Sequence, residues 1–172
     1  MFYFGKKNIL FAVALFLTGC ANITGPQLKL ERNAKQKSSF IVLRTPALRY
    51  SDQGFVAKSN NKVDVQIYSN GVASMKLDIT PAQVCSGSGL FKCMSSKQFN
   101  AKYLNASYPK DTLYHIFTAQ RIFGGKGLQK LPNGFAQHIQ KSGNYDIEYK
   151  ILNNTIVFRD KISNILIKIR EN

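Results

Sequence analysis

Val63-Asp64-Val65-Gln66-Ile67-Tyr68-Ser69-Asn70-Gly71-Val72-Ala73-Ser74-Met75-Lys76-Leu77-Asp78-Ile79 is the stretch on which the fold turns. Val63, Val65 and Ile67 alternate with Asp64, Gln66 and Tyr68 before Asn70-Gly71; Met75, Leu77 and Ile79 alternate with Ser74, Lys76 and Asp78 after it. Alternation on both sides of Asn-Gly predicts an antiparallel hairpin, because a tight two-residue turn needs the positive φ that Asn and Gly tolerate. One face of this hairpin is apolar and the other polar, as expected of an antiparallel sheet that covers something on one side only.

Outward from the hairpin, the chain continues in the same texture. Before it, Phe40-Ile41-Val42-Leu43 reads as a strand that Thr45-Pro46 interrupts like an edge or bulge. Ala47 to Tyr50 and Phe55 to Lys58 then read as short strands separated by the turn residues Ser51-Asp52-Gln53-Gly54. After Thr80-Pro81, Ser95-Ser96 can cap a helix running to Ala106, with Phe99, Tyr103 and Leu104 on one face. Pro109 and Asp111 suit the start of a second helix carrying Leu113, Ile116, Phe117 and Gln120, which Gly124-Gly125 ends. Strand patterns return at Gly134 to Ser142, Tyr145 to Ile151, Thr155 to Arg159 and Ile165 to Ile169, the last three reading as a meander. Strands, two short helices and strands again predict an α+β fold, mainly antiparallel β. Its form is a curved sheet or half-open barrel with both helices on one side. Residues 39–172 are expected to make one domain, with no internal repeat.

The N-terminus says where such a domain works. Lys6 and Lys7 precede an unbroken apolar run, Ile9 to Leu17, followed by Thr18, Gly19 and Cys20. That run is too short to span a membrane, which takes about 20 apolar residues, and it has the layout of a secretory signal over residues 1–19. Leu17-Thr18-Gly19-Cys20 resembles the lipobox of bacterial lipoproteins. The resemblance implies that the Cys20 thiol is lipidated, the signal removed, and Cys20 left as the acylated, palmitate-bearing N-terminus. Ala21 stands where an aspartate would resemble an inner-membrane retention signal, so the expected address is the outer membrane, facing the periplasm. Residues 20–38, polar and basic with Lys29, Arg32, Lys35 and Lys37, read as a tether between lipid and domain.

Of the 24 Lys and Arg, Lys6 and Lys7 leave with the signal, so 22 face the 9 Asp and Glu and the mature formal charge is +13. Such a charge usually suits nucleic acid, which an exported protein rarely meets, so no nucleic-acid partner is expected. Anionic lipid head groups, lipopolysaccharide phosphates, peptidoglycan carboxylates or an acidic protein are the partners such a charge suits. Cys85 and Cys93 are close in sequence and, in an oxidising compartment, are expected to pair. A zinc site would need His115 and His138, and neither lies at finger spacing.

Catalytic patterns are missing from the sequence. Neither histidine has a nucleophile or metal partner nearby in sequence. Gly87 and Gly89 bracket Ser88 too closely for a nucleophile elbow. Phe123-Gly124-Gly125-Lys126-Gly127 lacks phosphate-loop spacing and follows a helix instead of opening one. The chain is read as a non-enzyme without metal or cofactor. A more informative stretch is Leu90-Phe91-Lys92, at the tip of the Cys85–Cys93 loop. It can fold inward as a satellite core, or project so that Leu90 and Phe91 enter lipid while Lys92 meets a phosphate.

The order of segments over residues 55–170 resembles the LolA/LolB family of lipoprotein carriers. The likeness rests on a sheet, a helix of the type Leu113-Tyr114-His115-Ile116-Phe117, and the run from Phe135 through Gly143-Asn144-Tyr145 to Ile169. It implies a half-open barrel, capped by helices, that holds acyl chains in an apolar cavity. The chain departs from LolB in having no tryptophan. Its 12 Phe and 8 Tyr could line such a cavity. By periodicity the lining would include Ile67, Leu77, Phe117, Tyr145, Ile147, Tyr149 and Ile167. The other reading is a structural or assembly lipoprotein of the cell envelope that docks a protein or peptidoglycan.

Overall fold

The computed structural model describes residues 35–172, Gly89 excepted. The signal, Cys20 and most of the expected tether lie outside these residues. The first six strands are β1 (Lys35–Arg44), β2 (Arg49–Ser59), β3 (Lys62–Ser69), β4 (Val72–Ile79), β5 (Gln83–Gly87) and β6 (Lys92–Ser95). Helices α1 (Ser96–Tyr103) and α2 (Thr112–Phe117) and a single 3-10 turn (Phe123–Gly125) follow. The chain ends with β7 (Leu128–Leu131), β8 (Gly134–Lys141), β9 (Tyr145–Leu152), β10 (Thr155–Asp160) and β11 (Ile165–Glu171). All strands join one 11-stranded sheet in the order β6-β5-β4-β3-β2-β1-β11-β10-β9-β8-β7. Every pairing is antiparallel. The sheet is not closed: β6 and β7 are its edges, and the helical segment carries the chain from one edge to the other. The protein is mostly antiparallel β.

Asn70 and Gly71 turn the β3–β4 hairpin with φ of 51° and 79°, as the Asn-Gly signal predicts. The meander β9–β10–β11 also forms where the alternation places it. Five details differ from expectation. β1 begins at Lys35, inside the expected tether, because residues 35–38 continue the ladder to Phe55–Lys58. Thr45-Pro46 is the turn of the β1–β2 hairpin, closed by Thr45 N donating to the Leu48 carbonyl at 2.8 Å. Ser51 to Gly54 is no turn but the middle of β2, where a side chain on Gly54 would lie 2.2 Å from the Gln66 carbonyl oxygen. Glycine there permits close approach of β3. Finally, β7 forms in a stretch with no clear alternation, and both helices stop short of their expected ends.

Ser95 caps α1: its hydroxyl accepts from Gln98 N at 3.2 Å, and the Gln98 side chain accepts from Ser95 N at 3.0 Å. This reciprocal capping satisfies two otherwise free donors of a short helix. Helix α2 shows how far the sheet curves. It packs against both β3 and β10, which are four strand steps apart. In a flat sheet that separation would be about 19 Å, whereas a helix with side chains is about 10–12 Å across. The sheet must bend around the helix. Ile41, Leu43, Val63, Val65, Ile79 and the alternate residues of β9–β11 fill the concave side together with Phe99, Leu113 and Ile116 from the helices.

Candidate functional site

The seven residues singled out by periodicity come from five elements: Ile67 from β3, Leu77 from β4, Phe117 from α2, Tyr145, Ile147 and Tyr149 from β9, and Ile167 from β11. All belong to one apolar cluster on the concave side, and none is more than 9% exposed. Register explains the gathering. Leu77 faces Val65, Ile147 faces Ile139 and Asp160, Tyr149 faces Phe158, and Ile167 faces Leu43 and Phe158. Side chains at paired positions point to the same face of a sheet, so one alternation phase carries across every strand.

Polar side chains on this side tie the helical segment to the sheet, and periodicity alone gives no sign of them. The Tyr108 hydroxyl donates to Asp160 Oδ2 at 2.5 Å, and Asp160 Oδ1 accepts from Asp146 N and Ile162 N, each at 3.0 Å. Gln137 accepts from Ile122 N at 3.0 Å and donates to the carbonyls of Ile122 and Lys126 at 3.0 and 2.8 Å. The Tyr149 hydroxyl donates to the Gln120 carbonyl at 2.9 Å. Burial raises the pKa of both phenols above the ordinary value of 10.0, and at Tyr108 the neighbouring Asp160 adds to the effect. Asp160 and Gln137 are almost wholly buried, yet each meets several partners, which removes the usual cost of a buried polar group.

At the far end of the same side, Glu171 carries ion pairs from Lys37 and, at 3.3 Å, from Lys58. Burial alone would raise the Glu171 pKa; hydrogen bonds and charge from Lys37 and Lys58 outweigh it and hold the carboxyl below its ordinary range. The two histidines are apart. His115 lies on α2, 3.8 Å from Asp111, and His138 lies on β8, where Nε2 is 2.8 Å from Asp146. The His138 hydrogen bond is the leading cause of a lowered Asp146 pKa. Among the described residues neither imidazole ring is hydrogen-bonded to a Ser, Thr or Cys side chain. Among the described residues no three His, Cys, Asp or Glu side chains converge as a metal site.

Cys85 and Cys93 are direct partners on β5 and β6, and their sulfurs lie at disulfide distance, 2.02 Å. The loop they close does not fold inward. Leu90 is 91% exposed and Phe91 45%, with Lys92 also exposed beside them. A short turn between β5 and β6, pinned at its base by the paired cysteines, leaves too little chain for these two side chains to reach the concave cluster. Following the strands through their pairings, the turns after β1, β3, β5, β8 and β10 share one rim of the sheet. Val72, at the β3–β4 turn, and Ile162, between β10 and β11, are exposed there at 69% and 53%. No helix among the described residues is long and apolar enough to cross a membrane.

No model of a known protein family matches the chain, and no curated protein is significantly similar to it.

Proposed function

We propose that this chain is an outer-membrane lipoprotein, anchored through Cys20 on the periplasmic side, that binds acyl chains or the lipid-bearing part of other lipoproteins. In this reading the curved sheet is a half-open barrel of the LolA/LolB type and the helical segment is its cover. The observation that carries the reading is the gathering of Ile67, Leu77, Tyr145, Ile147, Tyr149 and Ile167 from the concave sheet wall and Phe117 from α2 in one apolar cluster. A wall of branched aliphatic and aromatic side chains, with its polar groups consumed by the cover, offers a hydrocarbon chain an environment free of competing water. Leu90, Phe91 and Lys92 supply a membrane contact, two apolar side chains for the lipid and a cation for its phosphate.

A second reading, a lipoprotein that docks an envelope protein or peptidoglycan, is favoured by the near-complete burial of the same seven residues, which a filled core would also produce. Titrating the full-length protein with a fluorescent fatty acid separates the two. Saturable binding, displaced by unlabelled fatty acid, supports the carrier. Absence of binding leaves the docking lipoprotein. The anchor has its own test: a Cys20→Ser variant should lose both incorporated fatty acid and its membrane fraction.

A further inference from the structure

One like-charged pair in the sheet lacks the neutralisation that another receives. Asp64 and Asp78 are direct partners across β3 and β4, and Lys62 bridges them at 2.7 and 3.1 Å. Arg44 and Arg49 are direct partners across β1 and β2, the last pair before the turn. Like charges directly opposite destabilise a ladder. Yet the ion pairs among the described residues involve Lys37, Lys58, Lys62, His115, His138 and Lys161, and neither arginine.

The two arginines border a cleft of about 490 Å³ between the β1–β2 and β10–β11 turns, with Tyr50, Ser51 and Asn164 on its other sides and no carboxylate in its lining. The turn beneath it is held: Thr45 Oγ1 accepts from Ala47 N at 3.1 Å and from Leu48 N at 3.0 Å. We propose that this cleft binds a phosphoryl group, clamped between the Arg44 and Arg49 guanidinium groups. A guanidinium presents paired N–H donors that match two phosphate oxygens, and an anion held between two such forks turns their repulsion into attraction. Ser51 and Asn164 add neutral donors. Position names the bearer as a lipid head group. The cleft opens on the rim from which Val72, Leu90, Phe91 and Ile162 project. Apolar side chains dipping into a bilayer would bring this rim to phosphate depth. The site stands without the acyl-chain reading.

The test is calorimetric titration of the full-length protein in neutral detergent with two soluble probes, inorganic phosphate and glycerophosphoglycerol, the deacylated head group of phosphatidylglycerol. Saturable binding is expected. Tighter binding of glycerophosphoglycerol identifies a lipid head group as the source, and tighter binding of inorganic phosphate identifies the free anion. Arg44→Gln with Arg49→Gln should weaken binding at least about ten-fold, the scale of one lost charge-assisted hydrogen bond. Relief of the like-charge pair should leave its thermal midpoint unchanged or raised. Arg44→Lys with Arg49→Lys keeps the charge and loses the fork, so it too should bind more weakly than the parent. Lys150→Gln with Arg159→Gln removes two exposed cations outside the cleft lining and should keep the parent affinity within about two-fold. The proposal is overturned if neither probe saturates, if the lysine variant binds like the parent, or if the outlying pair loses as much as the cleft pair.

Discussion

The Tyr108 hydroxyl, on the segment between the two helices, donates a 2.5 Å hydrogen bond to the Asp160 carboxylate at the end of β10. This bond joins the helical cover to the half of the sheet farthest from α1. Tyr108→Phe keeps the ring, which stacks edge-on against Phe158, Tyr145 and Phe123, but leaves a buried carboxylate oxygen without its donor. Urea unfolding should show a loss of about 1–3 kcal/mol. Asp160→Asn retains an acceptor for Asp146 N and Ile162 N, so it should be milder than Asp160→Ala. An unchanged midpoint for Tyr108→Phe would mean that this bond adds nothing to the hold that packing, Gln137 and Tyr149 exert on the cover.

The same phenol sets an alkaline limit. The pKa values of Tyr108 and Tyr149 are raised above the 10.0 of an unfolded chain, chiefly by burial. A folded-state pKa above the unfolded one gives stability that is complete below the unfolded value and declines as pH rises past it. The urea midpoint should therefore be flat from neutrality to about pH 9 and fall above pH 10, with a shallower fall in Tyr108→Phe.

Glu171 sets the corresponding acid limit. Its carboxyl titrates below the ordinary 4.5 because Lys37 and Lys58 outweigh the effect of burial. A depressed pKa gives stability that is present above the unfolded value and is lost as pH falls through the folded one. Glu171→Gln should cost about 1 kcal/mol or less at pH 7, the modest figure reflecting solvent screening of a partly exposed cluster. At pH 3 the difference from the parent should shrink. A constant difference at both pH values would assign the effect to packing instead.

Reduction of the Cys85–Cys93 pair should loosen the β5–β6 hairpin. In the chain-entropy model so short a loop contributes about 2–3 kcal/mol. Protein from the periplasm should yield the linked peptide in non-reducing mapping. Recovery of two free thiols from that material would contradict the pairing.

Much of this architecture was legible in the sequence, and the illegible parts share a cause. The β3–β4 hairpin announces itself through alternation around Asn70-Gly71, and the β9–β11 meander through three successive alternating runs, because local turn chemistry and strand period agree. β2 misleads because Gly54 carries the composition of a turn while serving close strand approach, a requirement set by the neighbouring Gln66 carbonyl. The apolar wall could be read because burial imposes a period on each strand. Gln137, Tyr108 and Asp160 could not, since their roles depend on where a segment distant in sequence crosses the sheet. The Arg44–Arg49 cleft depends on register: taking Thr45-Pro46 as an interruption of one strand hides the hairpin that sets the two arginines opposite each other.

Enlarging the concave wall probes its packing. Inserting bulk into a filled core costs about 1–3 kcal/mol through strain. Leu77→Phe and Ile147→Phe should therefore cost much less than that in a ligand cavity while reducing fatty-acid binding. Strong destabilisation of both variants, in a parent that binds no lipid, would favour the docking lipoprotein.

Native mass spectrometry of the full-length protein, extracted from membranes in a gentle detergent, addresses the central claim most directly. The carrier reading predicts a species heavier than the chain and its covalently attached lipid by the mass of one non-covalent lipid or lipoprotein, released on collisional activation. A spectrum containing only the covalently modified chain, unchanged by added excess fatty acid, would contradict it.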